Sequence, residues 1–157
     1  MKFKVDFQKA CAEETPSMEE FEKWIQSTAK TIKYLKKQAA VNIRAVGEKE
    51  MFYLNSTFRK KAAITNVLSF PADLPKEIEL NLLGDIAICA PVVQKEATKL
   101  GKLEKAHWAH LTVHGMLHLI GYDHISEKDS IKMETVEISV LANLGISNPY
   151  IQSAVPE

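Results

Sequence analysis

The stretch His114-Gly115-Met116-Leu117-His118-Leu119-Ile120-Gly121-Tyr122-Asp123-His124 concentrates the residues best able to do chemistry. A neutral imidazole is a good metal ligand. Residues four apart on a helix are turned through ~400° and separated by a rise of ~6 Å, so His114 and His118 project side by side and can converge on one ion. Gly121 can take a positive φ and end that helix, letting the chain double back so that His124 supplies a third nitrogen. Three histidines leave one position of a tetrahedral zinc open to water, the arrangement of catalytic sites, in which the water's pKa falls toward ~7. A structural zinc would want a fourth side chain, and no cysteine lies nearby in the sequence. The pattern predicts a single Zn2+ per chain, held by His114, His118 and His124. An isolated histidine on an apolar helix is ordinarily a packed core residue; three at this spacing around a glycine turn are not.

The same spacing occurs in the long zinc-peptidase signature, where the glutamate after the first histidine is the general base. Here that position is Gly115, which has no side chain and leaves space for a larger substrate near the ion. A zincin-like peptidase, or another metal hydrolase, is therefore the less favoured reading. His110 and His114 form a rival pair with identical spacing, but nothing at the right distance completes it. His110 and His107 read as packing residues or as partners of the ligands. Asp123 has two available roles, orienting a ligand histidine or stabilising the turn before His124. Asp85 lies in an apolar run and needs a partner, for which Arg59 is one possibility.

The elements that must position these residues read as an alternation of strands and helices. Phe3, Val5 and Phe7 alternate in Lys2 to Phe7, the period of a half-buried strand. Ser17 and Glu20 form a capping box, and Phe21, Trp24, Ile25, Ile32 and Leu35 follow at helical spacing, predicting a long helix from near Met18. Val41, Ile43 and Ala45 mark a second strand that stops at Gly47, and Glu48 to Phe58 reads as a short helix. Asn66 to Phe70 and Leu82 to Cys89 read as strands closed by Pro71 and Pro91. Between them, Pro71 to Asn81 reads as an exposed excursion that could flank a site. A helix from Val92 is interrupted by Gly101, a second runs from Leu103 to Ile120, and Ser126 caps a third over Glu127 to Leu144. Its inward residues are predicted to be Ile131, Val136, Val140, Leu141 and Leu144, with a loose tail after Pro149.

With 157 residues the chain has the size of one domain, and its 46% hydrophobic and 25% charged residues are those of a globular protein. A single domain over residues 1–157 is expected. No apolar run approaches the ~20 residues needed to cross a bilayer, and Met1 to Phe7 lacks a signal-peptide core, so a cytoplasmic protein with no membrane partner is expected. Cys11 and Cys89 fit no metal or redox pattern and are expected to be reduced, Cys89 buried. Twenty basic and twenty acidic residues cancel, so any nucleic-acid site must be a local patch.

The histidine stretch resembles the signature of the bacterial YbeY family of single-strand-specific metallo-endoribonucleases, His-Gly-x-x-His-x-x-Gly-x-Asp-His. Leu54-Asn55 with Phe58-Arg59, Thr65-Asn66-Val67-Leu68-Ser69-Phe70-Pro71, and Leu83-Gly84-Asp85-Ile86 are similar to the family's other recurrent segments. Family members often carry aspartate where Asn66 stands. The resemblance implies a zinc-dependent RNase that matures the 3′ end of 16S ribosomal RNA and acts in ribosome quality control. Its partners would be single-stranded ribosomal RNA and the small ribosomal subunit. It also implies an α+β, zincin-like fold with a mixed sheet of about four strands packed with helices. A contrasting possibility is a ribosome-assembly factor whose zinc is structural.

A phosphate site is visible in the residues as well. Arg59, followed by Lys60 and Lys61, stands at the end of a predicted helix, and the planar arginine fork suits two-point contact with phosphate. With the resemblance, Arg59 becomes a catalytic and substrate-binding candidate beside His114, with Lys60 and Lys61 as further substrate contacts. Lys30, Lys33 and Lys37 could extend a basic helix face or be an ordinary solvated one. Attack on phosphorus by water or by a ribose hydroxyl would be aided by zinc and Arg59 offsetting the growing charge.

Overall fold

The computed structural model describes residues 2–34, 38–73 and 82–151. In chain order the elements are β1 (Lys2–Ala10), α1 (Met18–Thr31), β2 (Gln38–Val46), α2 (Glu48–Phe58), β3 (Val67–Pro71), β4 (Leu82–Cys89), α3 (Ala90–Leu100), α4 (Glu104–Ile120) and α5 (Glu127–Asn143). The strands form one mixed sheet in the order β1-β2-β4-β3, with β1, β2 and β4 parallel and β3 antiparallel to β4. The fold is α+β with a mixed sheet of four strands, as the family resemblance implies.

Strand period fixes which side chains meet which helices. Phe3 and Val5 of β1, Val41, Ile43 and Ala45 of β2, and Ile86 and Ile88 of β4 join Phe21, Trp24, Ile25, Trp108, Met116 and Leu117 in one buried cluster with α1, α4 and α5. Full burial of one such side chain contributes about 1.5–3 kcal/mol, so this face carries most of the hydrophobic stabilisation. Val46, Met51, Leu68, Ala87 and Cys89 form a separate, smaller cluster under α2.

Helix α4 lies unusually close to the sheet at Gly115. A Cβ there would come within 2.9 Å of Ile86 Cγ2 and 3.2 Å of Ser69 Oγ. The Ser69 hydroxyl donates to the Gly115 carbonyl at 2.9 Å. The glycine thus serves helix-to-sheet packing, and the space beside it is filled rather than left for substrate.

Several expectations are corrected. Helix α1 stops at Thr31, with Ile32 as its C-cap and Lys33 in left-handed backbone at φ 54°. Lys30 and Lys33 therefore do not continue one helix face, and Leu35 and Lys37 lie outside the described residues. Residues 74–81 of the expected excursion lie outside them too. Pro91 sits in the first turn of α3, where its missing N–H costs nothing, so the helix starts at Ala90 rather than Val92. In α5, Ile131 is exposed while Met133 and Glu137 are buried. Asp85 is exposed and accepts a hydrogen bond from its cross-strand neighbour Asn42 at 2.9 Å, so it has no need of Arg59. Cys89 is buried and both cysteines are free.

Candidate metal centre and cleft

Helix α4 presents His114 and His118 on one face and ends at Gly121, whose φ of 116° is left-handed. The turn that follows carries His124 back, and Asp123 accepts from the Ile125 N–H at 3.2 Å, which assigns Asp123 to holding the turn. One ring nitrogen from each of His114, His118 and His124 can be chosen so that all three lie within 4.8 Å of one another.

The hydrogen bonds around the rings test whether an ion fits. Glu137 is fully buried, yet its carboxyl is held down at about 2. Burial alone would raise it; hydrogen bonds from His110 and His114, the positive charge of His114 and a bond from Tyr150 outweigh that. An ionised carboxylate only accepts, so His114 Nδ1, 3.1 Å from Glu137 Oε2, is the donor, and its Nε2 is turned toward the other two rings. His114 Nε2 lies 3.1 Å from His118 Nε2. Burial, then the positive charge of His114 and His124, pushes His118 down to about 4, so it is neutral at neutral pH, and a hydrogen bond to the Tyr122 backbone engages the ring as well. Two nitrogens each ~2.0 Å from a tetrahedral ion are about 3.3 Å apart, close to this spacing. That pair fits a metal cation between the rings, with a nitrogen of His124 within 4.8 Å of both.

The same three histidines line a cavity of about 340 Å³ together with Asn55, Arg59, Lys61, Thr65, Asn66, Val67, Leu68, Ser69 and Pro71. Arg59 is the C-cap of α2, and its N–H donates to the Asn55 carbonyl at 3.0 Å. Buried Asn55 also donates through its side chain to the Ala63 carbonyl at 2.9 Å, fixing the loop that carries Arg59 and Lys61. Lys60, in left-handed backbone at φ 59°, is not among the residues lining the cavity. Among the described residues, none that lines the cavity is acidic.

The family model described as Endoribonuclease YbeY matches residues 5–145. The chain belongs to the YbeY family. A relative from Colwellia psychrerythraea, named Endoribonuclease YbeY, is 44% identical over 150 residues, covering 94% of this chain and 97% of that one. The solution structure of TM1509 from Thermotoga maritima covers 98% of this chain and 99% of its own at 24% identity and a TM-score of 0.58, a likeness of fold. Membership of the YbeY family places this chain among hydrolases that act on RNA.

Other side chains support the histidine cluster from behind. His110 Nε2 donates to Glu137 Oε1 at 2.6 Å, and the Tyr150 hydroxyl donates to the same oxygen at 2.6 Å. His110 is thus committed to Glu137 and does not replace a ligand. Tyr150 is anchored although the region after Pro149 was expected to be loose; residues 152–157 lie outside the described residues. Burial, then the neighbouring Glu137, pushes the Tyr150 hydroxyl above the usual tyrosine range. His107 Nε2 meets Glu96 at 2.8 Å, and Asn66 donates to the same carboxylate at 3.0 Å. His107 is buried and its pKa is lowered by that burial. Glu137 escapes a reading built on the apolar stripe alone. Its signal is a charge at i−3 and i−4 from Val140 and Leu141, on the buried face of α5.

Glu137→Gln keeps the shape but removes the charge that fixes the His114 tautomer. Metal affinity is expected to fall about 10- to 100-fold, the usual effect of losing such an outer partner. Chelator competition measures it, and unchanged affinity would reduce Glu137 to a packing role.

Proposed function

We propose that this chain is a zinc-dependent endoribonuclease that cuts single-stranded RNA, with the 3′ end of 16S ribosomal RNA as its natural target. The observation that carries this reading is the convergence of three histidine nitrogens in a cleft whose other charged residues, among those described, are the cations Arg59 and Lys61. Family membership supports an RNA substrate. The small ribosomal subunit, a cytoplasmic setting and a role in ribosome quality control follow from that substrate. No helix among the described residues is long and apolar enough to cross a membrane. A single domain over residues 1–157 suffices for this, since the family match spans most of it. The site is zincin-like in having two histidines one turn apart and a third after a glycine turn.

When bound, zinc supplies a Lewis acid and an activated water at neutral pH. His114, His118 and His124 would hold it and leave a position open, since among the described residues no fourth side chain joins the cluster. That argues against a purely structural zinc in an assembly factor. Arg59 would grip the non-bridging oxygens of the scissile phosphate and offset the charge that grows as water or a ribose hydroxyl attacks phosphorus. Lys61, and Lys60 from outside the cleft, would hold flanking phosphates.

Arg59→Glu tests this assignment. The side chain is exposed and its capping bond is made by backbone, so stability should change by less than about 0.5 kcal/mol and metal content not at all. Cleavage should fall about 100-fold or more, with Arg59→Lys intermediate because it keeps charge but not the fork. The salt dependence of RNA binding should lose about one unit of slope. Wild-type cleavage with an unchanged slope would remove Arg59 from the site.

A further inference from the structure

Among the described residues, strand β3 is the outer strand of the sheet and pairs only with β4. The Cys89 N–H donates to the Asn66 carbonyl at 2.8 Å, and the Ala72 N–H donates to the Leu83 carbonyl at 2.9 Å. Between these anchors the register sets Leu68 opposite Ala87 and Phe70 opposite Asp85. Even-numbered residues of this segment thus aim their backbone groups at β4. By the alternation of an antiparallel ladder, Val67 and Ser69 aim N–H and C=O outward, and Pro71 its C=O. Those outward groups have no hydrogen-bond partner among the described residues. The Ser69 side chain is turned to Gly115 and does not cover them.

Free edge groups ordinarily invite another strand, and Pro71, which has no N–H, makes this edge poor for that purpose. Their location indicates another use. Residues 65–69 and Pro71 form one wall of the cavity that holds His114, His118 and His124. Arg59 and Lys61 line the same cavity and none of its described lining residues is acidic, a charge pattern that fits a polyanion better than a polypeptide.

We propose that the free edge of β3 binds the Watson–Crick edge of an unpaired nucleobase next to the scissile phosphate. A base amino group or ring N–H donates to the Val67 carbonyl, while an adjacent ring nitrogen or carbonyl accepts from the Ser69 N–H. Each base carries neighbouring donors and acceptors on that edge, and in a duplex they are consumed by the opposite strand. The wall therefore accepts only unpaired RNA and contributes little choice among bases. This inference rests on the RNA-cleaving function proposed above and supplies its single-strand requirement with a physical cause.

Two arms test it. Ser69→Pro removes the outward N–H and leaves the bonds to β4 intact, whereas Ser69→Ala keeps that N–H and removes only the hydroxyl bond to Gly115. With metal content and unfolding midpoint followed in parallel, Ser69→Pro is expected to cleave single-stranded RNA about tenfold more slowly than Ser69→Ala, the effect of one lost hydrogen bond. Equal rates in two folded, metal-loaded variants would overturn the proposal. The second arm needs no variant. Wild-type protein is given oligonucleotides carrying N1-methyladenosine or N3-methyluridine, which block the Watson–Crick edge, or 7-deazaadenosine, which leaves it intact. Methylation at one position beside the cut is expected to slow cleavage about tenfold or more, with 7-deaza substrates cut normally. Indifference to methylation at every position would sink the edge-binding idea while leaving the metal and Arg59 assignments standing. Hydrolysis of peptides with no cleavage of any RNA would instead overturn the function on which the inference rests.

Discussion

His118→Ala should leave a folded protein with little bound metal and with RNA cleavage reduced about a thousandfold or more, the several kcal/mol of charge stabilisation a metal supplies. His118 is a cleaner test than His114. Removing His114 would strand Glu137 Oε2 in a fully buried position with one donor fewer, adding a folding defect of about 1–3 kcal/mol to the loss of metal. His118 is only half-buried, makes no contact with Glu137 shorter than an electrostatic one, and alanine is the best helix former at its place in α4. Metal analysis, the unfolding midpoint and cleavage of a single-stranded oligonucleotide separate the effects. Full metal occupancy with near-normal cleavage would mean that the ligands are other residues, and the geometry of the three rings would then need a different explanation.

Gly84→Ala is expected to be the most damaging small substitution outside the site. Gly84 has φ 147°, and a Cβ added there would collide with the Phe70 carbonyl oxygen, meet Leu119 Cδ2 at 2.8 Å and touch Pro71 Cα at 3.0 Å. Two of those neighbours are backbone of β3, which cannot move aside as a side chain can. Strain and overpacking together predict a loss of about 3 kcal/mol or more, a drop in unfolding midpoint of roughly 6–12 °C for a domain of this size. A thermal unfolding curve decides it. An unchanged midpoint would show that β3 can shift relative to β4, which would also displace the wall of the cleft.

The parts of this structure legible in the sequence are those written in local periodicity and capping. Ser17 and Glu20 make the expected box, and the alternation of Phe3, Val5 and Phe7 is that of β1. His114, His118, Gly121 and His124 form a contiguous pattern whose geometry follows from helix dimensions, so their convergence could be worked out before any fold was known. What escaped reading depends on contacts between distant segments. Nothing near Gly115 in sequence announces that Ile86 and Ser69 fill the space beside it. Glu137 lies on α5, and its purpose exists only once α5 packs behind α4. Asp85 looked buried because its strand is apolar, yet it falls on the face that the larger helices do not cover, where Asn42 meets it. The end of α1 was missed because Ile32 is partly buried against the core although the helix has already closed at Thr31.

The division of the apolar residues into two clusters sets the two halves of the cleft on unequal footings. His114 and His118 stand on a helix whose buried face, from Trp108 to Leu119, belongs to the larger cluster. Arg59 and the loop that follows it depend on α2, which is rooted through Met51 in the smaller one. Local opening costs less where fewer apolar contacts must be broken. On the proposed assignments the ion would be gripped by the stiffer jaw and the phosphate by the more compliant one. A chain built this way would let single-stranded RNA in and out by yielding at α2, without loosening the histidine side of the cleft.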